Sequence, residues 1–280
     1  MSKRIILFFI IIFVLSSCSR IEFATNWADT FVASLADHYF DTSSFQSRFI
    51  KRSLQDDIKK IRVQIYPRIA IALDKVLTEF ESNKEFNLEM INTHEQELHS
   101  IFNDSLKILE PSTVEFVSLL SPKQLEYYKK EFKDKTDDLK DDIKTKELVH
   151  ERQFEKMKKQ FENWIGSLTS DQKKDINDFC NNTPFPFKEQ INNREKVSNL
   201  FVENFSNVEK RKRIISDLML NYESFRDPDY SKIILEYQKN YFEFIVKIIN
   251  KLTIEQKKRI TIILTDRIFQ LKASAVIRQK

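Results

Sequence analysis

The sequence predicts an all-α protein, an elongated multi-helix bundle, on three observations. The chain of 280 residues holds one glycine and six prolines, too few to build tight turns, hairpins or glycine-rich phosphate loops. Its apolar residues, 41% of the total with 24 Phe among them, recur at three- and four-residue intervals, the period of one helix face. Charged residues fill most of the remaining positions at 31%, with the Lys, Asp and Glu interleaving of solvated helix surfaces. So much apolar surface excludes a disordered chain. A chain of this length can bury a sizeable core in one large domain or two smaller ones.

Residues 1–17 read as a leader and not as part of the fold. Lys3 and Arg4 supply a positive start, and Ile5 to Leu15 form an unbroken apolar run, shorter than the ~20 residues of a membrane-spanning helix. Leu15-Ser16-Ser17-Cys18 resembles a bacterial lipobox. That resemblance implies cleavage before Cys18, acylation of its thiol and attachment of the mature chain to a membrane. Two or three acyl chains hold stably where one holds marginally. Ser19, and not Asp, follows the cysteine, and by analogy with bacterial lipoproteins this favours the periplasmic face of an outer membrane. Loss of Lys3 and Arg4 takes 46 basic residues to 44 against 42 acidic ones. Such a near-balanced, exported chain offers nothing to suggest a nucleic-acid partner.

The helical domain is expected over 18–280. Phe23, Trp27, Phe31 and Leu35 form the stripe of a first helix, and 41–44 offer a stop and a cap. Phe45, Phe49, Ile58, Ile61, Ile65, Ile69, Leu73, Val76 and Phe80 mark a long second helix that Pro67 kinks or breaks near Tyr66. Residues 89–109 form the next, with Pro111 placed to start another. From 121 to 165 no proline or glycine intervenes, which predicts one helix of about 40 residues, ~65 Å long. Lys146 and His150 weaken the middle of its apolar seam. Gly166 ends it as a left-handed terminator, and 166–168 is a candidate sub-boundary. Shorter helices follow over 169–180, 188–205, 208–222, 229–250 and 253–276. The segment 181–187, with two prolines, reads as a loop carrying Phe185 and Phe187.

Catalytic chemistry finds no foothold in the local pattern. His94 and His99 are five apart and diverge around a helix, whereas a zinc-binding pair needs four. Asp137, Asp138, Asp141 and Asp142 sit among lysines as solvated charge. Cys180 falls in helical register with Ile176 and Phe179 and reads as core. No cofactor, metal or catalytic residue is predicted, and the chain reads as a non-enzyme. The basic run 210–213 is read as a solvated helix turn, with lipid phosphates or an anionic glycan as the alternative.

One motif recurs. Leu120-Ser121-Pro122-Lys123-Gln124, Leu168-Thr169-Ser170-Asp171-Gln172 and Leu252-Thr253-Ile254-Glu255-Gln256 each place a Ser or Thr three residues before a Gln. This is a capping box: the hydroxyl accepts from the third helical amide, and the Gln returns to the cap amide. Ser121, Gln124, Thr169, Gln172, Thr253 and Gln256 are therefore expected at helix starts. The motif also resembles the L-T-x-x-Q pattern of the small periplasmic helical chaperones of the Spy and CpxP type, which implies an ATP-independent hold on unfolded clients. On a wider span the chain is similar to an uncharacterised family of proteobacterial lipoproteins known as a domain of unknown function. That likeness rests on Cys18-Ser19, Trp27, Tyr66-Pro67, the stretch Trp164-x-Gly166-x-Leu168-Thr169-x-x-Gln172, Asn193-Arg194, and Leu252-Thr253-x-x-Gln256-Lys257. The family's Trp before Asn-Arg is missing here, where Phe185 and Phe187 are the nearest aromatics.

The functional expectation is a lipid-anchored, non-enzymatic envelope protein with a protein partner or client, in its most concrete form a holdase. Phe132, Phe154, Phe161 and Trp164 on the long helix, with Phe185 and Phe187 on the loop, are the candidate contact residues; the alternative places all six in the core. A scaffold docking one fixed envelope partner, and an enzyme built from dispersed residues, are the other two readings. Oligomeric state and leaflet are left open.

Overall fold

In the computed structural model, residues 21–82 and 84–276 are described, with side chains from Trp27 onward. The leader and the acylation candidate Cys18 lie outside the described residues. Eleven α-helices and one 3-10 turn form the described chain, with no strand among the described residues. They are α1 (Ile21–Phe40), α2 (Ser44–Gln64), α3 (Tyr66–Glu81), α4 (Leu88–Ser118), α5 (Pro122–Asp141), α6 (Lys146–Ile165), α7 (Ser170–Asn182), α8 (Phe187–Glu203), α9 (Val208–Leu220), the 3-10 turn Tyr222–Phe225, α10 (Pro228–Asn250) and α11 (Ile254–Ala275). The all-α expectation holds.

The single helix of about 40 residues does not exist. It is divided into α5 and α6, with a turn over 142–145. No residue between Thr136 and Gln153 is buried, so no core packing holds this stretch straight, and the Lys140–Glu195 pair at its edge is exposed. Local chemistry then decides. The Thr145 hydroxyl accepts from the Leu148 amide and starts a new helix, and Asp142 pairs with Arg152 across the turn. The longest helix is instead α4, which runs through Pro111 without ending there. Pro111 removes one backbone donor, but α2 and α9 pack along α4, and burial of those faces outweighs a lost hydrogen bond. Pro67 sits in the first turn of α3, and Ile65, in helical conformation, both ends α2 and starts α3. Helical bonding continues across the joint from Ile65 N–H to Ile61 and from Ile69 N–H to Ile65, and α3 then packs against α11, the most extensive helix pairing in the molecule.

Gly166 caps α6 as expected, but in a different backbone region. Its φ of 77° and ψ of −144° lie outside the left-handed helical well, in territory open almost only to glycine. Its amide closes the last turn on the Glu162 carbonyl at 2.9 Å. Backbone conformation and not space selects glycine here, since an added Cβ would stand in ordinary contact, 3.4 Å from the Arg259 side chain.

The main core draws Ala70 and Leu73 from α3, Ile91 from α4, Met157 and Ile165 from α6, Ile176 and Phe179 from α7, the apolar face of α10 from Tyr230 to Ile248, and Ile260, Leu264, Ile268 and Leu271 from α11. Residues on both sides of 166–168 thus share one core. A smaller core joins α1, α2, α4, α5 and α8 through Ala33, Ile50, Phe116, Val117, Phe201 and their neighbours. Cys180 is buried beside Met157, sulfur to sulfur at 3.7 Å. Burial pushes its thiol up to about 12, so it is an unreactive core residue.

The basic run 210–213 is not uniform. Arg211 turns inward, and its guanidinium donates to the Leu120 and Ser118 carbonyls at 3.0 and 2.9 Å while lying over the Phe205 ring. It closes the C-terminal end of α4, where the last carbonyls lack helical partners.

Candidate ligand-binding site

Four capping boxes, and not three, organise the molecule. Ser121/Gln124, Thr169/Gln172 and Thr253/Gln256 cap α5, α7 and α11 as predicted. A fourth, Ser43/Gln46, caps α2. The Ser-x-x-Gln spacing that could have found it is present, but Thr42 stands where the other three copies have Leu.

The boxes also pair. Gln46 and Gln124 exchange side-chain amide hydrogen bonds of 3.1 and 2.8 Å, and Gln172 and Gln256 do the same at 2.8 and 2.9 Å. Each glutamine then donates to the backbone carbonyl five residues ahead of its partner: Gln46 to Leu119, Gln124 to Asp41, Gln172 to Lys251 and Gln256 to Ser167. All four side chains are buried. Every donor and acceptor of each amide is thereby used, which is the condition under which a buried polar network stabilises. The same pattern extends outward. Ile50 and Ile176, each four residues after its glutamine, are buried, as are Leu120 and Leu252, each four before. The structure is an internal pair, with one lock joining the α1/α2 turn to the α4/α5 turn and the other joining the α6/α7 turn to the α10/α11 turn. Beyond the locks the halves interleave, since α3 packs on α11 and α9 packs on α4.

Beside the second lock an ion pair adds to the joint. Asp175 on α7 receives Lys247 of α10 and Lys251 just past its end, both at 2.7 Å. Burial alone would raise this carboxyl, but the two lysine hydrogen bonds outweigh it and hold it below its ordinary 3.8. A depressed carboxylate contributes stability above its unfolded pKa and loses it as pH falls through the folded value. Asp175→Asn is therefore expected to melt below the parent at pH 7. The gap should close as pH drops below 3.8, read from paired thermal melts across pH.

Leu252, the residue before the Thr253 cap of the second lock, lines a cavity of about 200 Å³. Leu73, Val76 and Phe80 of α3 wall one side, with Ile91 and Leu98 of α4. Phe161, Trp164 and Ile165 of α6 face Tyr241, Ile245, Ile248 and Ile249 of α10, and Ile260 and Leu264 of α11 complete it. Phe86 enters from the α3–α4 connection. Asn250 clamps that backbone, accepting from the Phe86 amide at 2.9 Å and donating to its carbonyl at 2.8 Å. The polar lining is sparse. His94 is tied to Glu79 at 2.6 Å, and Glu95 stands beside it. Two buried groups on α6, the Trp164 ring N–H and the Gln160 side-chain oxygen, have no hydrogen-bond partner in the protein. They lie one helical turn apart on one face.

Residues 38–231 match a family of unknown function, DUF6279. The chain belongs to this family. The DUF6279 match includes Gln46, Gln124 and Gln172 with Trp164 and Gly166, and stops ahead of Gln256 and most of α10. No curated protein and no solved structure matches the chain.

In this DUF6279 chain the six candidate contact residues have separate fates. Phe161 and Trp164 line the cavity. Phe132 lines a second groove with Phe40, Tyr128 and Phe201, and Arg194 lies over its ring at 4.8 Å. Phe154 and Phe187 pack against the main core, and Phe185 is part of it at 7% exposure. The loop aromatics are therefore not exposed hooks. Phe185 contacts Tyr237 and Phe187, and its amide donates to buried Gln153. Burial of two rings explains why a proline-rich segment is held in place. Gln160 carries no local motif, and Tyr241, Ile245, Ile248 and Ile249 of α10 show in the sequence as a strongly apolar helix face with nothing to mark it as a cavity wall.

His94 engages Glu79 and not His99, and no cluster of three or more His, Cys, Asp or Glu among the described residues could hold a metal. No described helix is long and apolar enough to cross a membrane.

Proposed function

We propose that this chain is a lipid-anchored, non-enzymatic envelope protein that binds an apolar group in the α3–α4–α6–α10–α11 cavity. The observation that carries the reading is the cavity itself: apolar walls, a volume well above that of one water, and only a few polar groups to orient a guest. The unspent Trp164 N–H and Gln160 oxygen suit a guest with an apolar body and an adjacent amide, or a carbonyl beside a hydroxyl. A bounded cavity favours one recurring ligand over varied unfolded clients, which need a broader apolar surface. Acylation at Cys18 and the outer-membrane address rest on the leader pattern alone.

The test uses the full chain and N-phenyl-1-naphthylamine, a neutral apolar dye whose fluorescence rises on burial. Saturable one-site binding is expected. Leu264→Phe, which fills the cavity, should weaken it about tenfold or more, equivalent to ~1.4 kcal/mol, with circular dichroism confirming the fold. Trp164→Phe keeps an aromatic, smaller ring and deletes the donor, so it should spare the dye and weaken a fatty-acid amide. Unsaturable dye uptake, or an unaffected Leu264→Phe, sinks the reading. A holdase is the second reading, favoured by exposed apolar residues on α1. Suppression of client aggregation that survives Leu264→Phe would favour it.

A further inference from the structure

The groove that holds Phe132 is the counterpart of the cavity in the other half of the internal pair. Val117, Tyr128 and Phe132 line it, standing seven residues before Gln124, four after and eight after. Ile249, Ile260 and Leu264 line the cavity at the same three steps from Gln256. The same positions about two locks thus border an apolar space, and different neighbours close it: α3 and α4 at the cavity, α8 and α9 at the groove. The groove measures about 240 Å³, well above the volume of one water.

The charge of the groove selects its occupant. Arg194 is the one charged side chain among the described residues that line it. It is half-buried, lies over the Phe132 ring, and donates one long hydrogen bond, 3.5 Å, to the Tyr39 hydroxyl. No carboxylate among the described residues pairs with it, and the adjacent Glu195 is taken by Lys140 at 2.7 Å. Asn193 fixes the wall beside it, accepting from the Asp227 amide at 2.8 Å and donating to the Tyr222 hydroxyl at 3.3 Å. The Asn193-Arg194 pair singled out in the sequence therefore shapes one side of the groove and charges it. A guanidinium presents its N–H donors in a planar fork that matches a carboxylate. Set among aromatic rings without a counter-ion, it favours an anion over a neutral group. We propose that this groove is a second ligand site, taking a medium-chain fatty acid with its carboxylate on Arg194 and its chain along Phe132, Tyr128 and Phe201. The inference goes beyond the guest of the cavity and stands without it.

The test is isothermal titration calorimetry of the full chain with decanoate, and with decanol as its uncharged counterpart. Decanoate is expected to bind saturably. Arg194→Gln should weaken it about tenfold or more, the loss of a charge-assisted hydrogen bond, and Arg194→Lys should weaken it less. Val197→Phe, which fills the groove, should weaken it as strongly as Arg194→Gln. Decanol should keep its affinity in Arg194→Gln, and Leu264→Phe, which fills the cavity, should spare decanoate. Circular dichroism checks the fold of each variant. Decanoate weakened by Leu264→Phe and not by Arg194→Gln belongs to the cavity, which overturns the second site and leaves the first. Equal losses of decanoate and decanol in Arg194→Gln reduce Arg194 to a packing contact and overturn the site too, as does a chain that binds no decanoate. Decanoate lost in Arg194→Gln, from a chain with no saturable dye site, upholds the groove without the cavity.

Discussion

Gln172→Glu is expected to destabilise the protein by about 3–5 kcal/mol, the range for an uncompensated buried charge. The substitution separates two roles of one residue. Glu serves a capping box as well as Gln does, so if capping were the whole role the change would be nearly silent. The lock makes the opposite demand. The Gln172 amide nitrogen donates to the Gln256 side-chain oxygen at 2.8 Å and to the Lys251 carbonyl at 3.4 Å. In the variant a carboxylate oxygen would face both acceptors in a site almost closed to water. Gln256 cannot turn over to relieve this, because its oxygen accepts from the Thr253 amide and its nitrogen donates to Ser167. At this chain length the loss corresponds to a fall in Tm on the order of 10 °C. Alanine at Gln172 and Gln256, singly and together, should give a coupling of about 1–2 kcal/mol in a double-mutant cycle. A silent Gln172→Glu would reduce the lock to four independent caps.

Arg211→Ala is expected to cost about 3 kcal/mol, whereas alanine at Lys210 or Arg213 should stay within ~0.5 kcal/mol. All three belong to one basic run, and Lys210 and Arg213 are exposed. Arg211 is buried, and it alone reaches across to the end of α4. Its removal leaves the Ser118 and Leu120 carbonyls without a donor, at about 1–3 kcal/mol for each unsatisfied buried group. It also leaves a void over Phe205. Denaturant unfolding of the three variants side by side measures the contrast. Equal, small effects would return the run to solvated charge.

These cases show what kind of information each level holds. Composition and apolar spacing sufficed for an all-helical chain, because glycine scarcity and a 3.6-residue period are local properties. The caps at Ser121, Thr169 and Thr253 were legible for the same reason, as was Cys180 in the core. A local rule also misled where packing was the deciding term. Pro111 reads as a helix start, yet α4 passes through it because α2 and α9 cover its sides. Residues 121–165 read as one helix, yet with nothing buried between Thr136 and Gln153 the cap at Thr145 divided them.

The candidate site was legible only in part. Phe161 and Trp164 were found by their apolar register, but register cannot separate a residue that fills a core from one that borders a space. Phe185 and Phe187 sit in a proline-rich segment, and sequence cannot show that Gln153 and Tyr237 lie beneath them. By itself the sequence determined the helical class, the capped starts at Ser121, Thr169 and Thr253 and the buried thiol, since each depends on neighbours within a few residues. Only the tertiary structure decided that the glutamines pair, that Arg211 closes a helix ninety-odd residues ahead of it and that a cavity stands beside the second lock. Each of these depends on groups far apart in the chain, and a short motif specifies what its side chains can donate and accept, not which distant partner meets them.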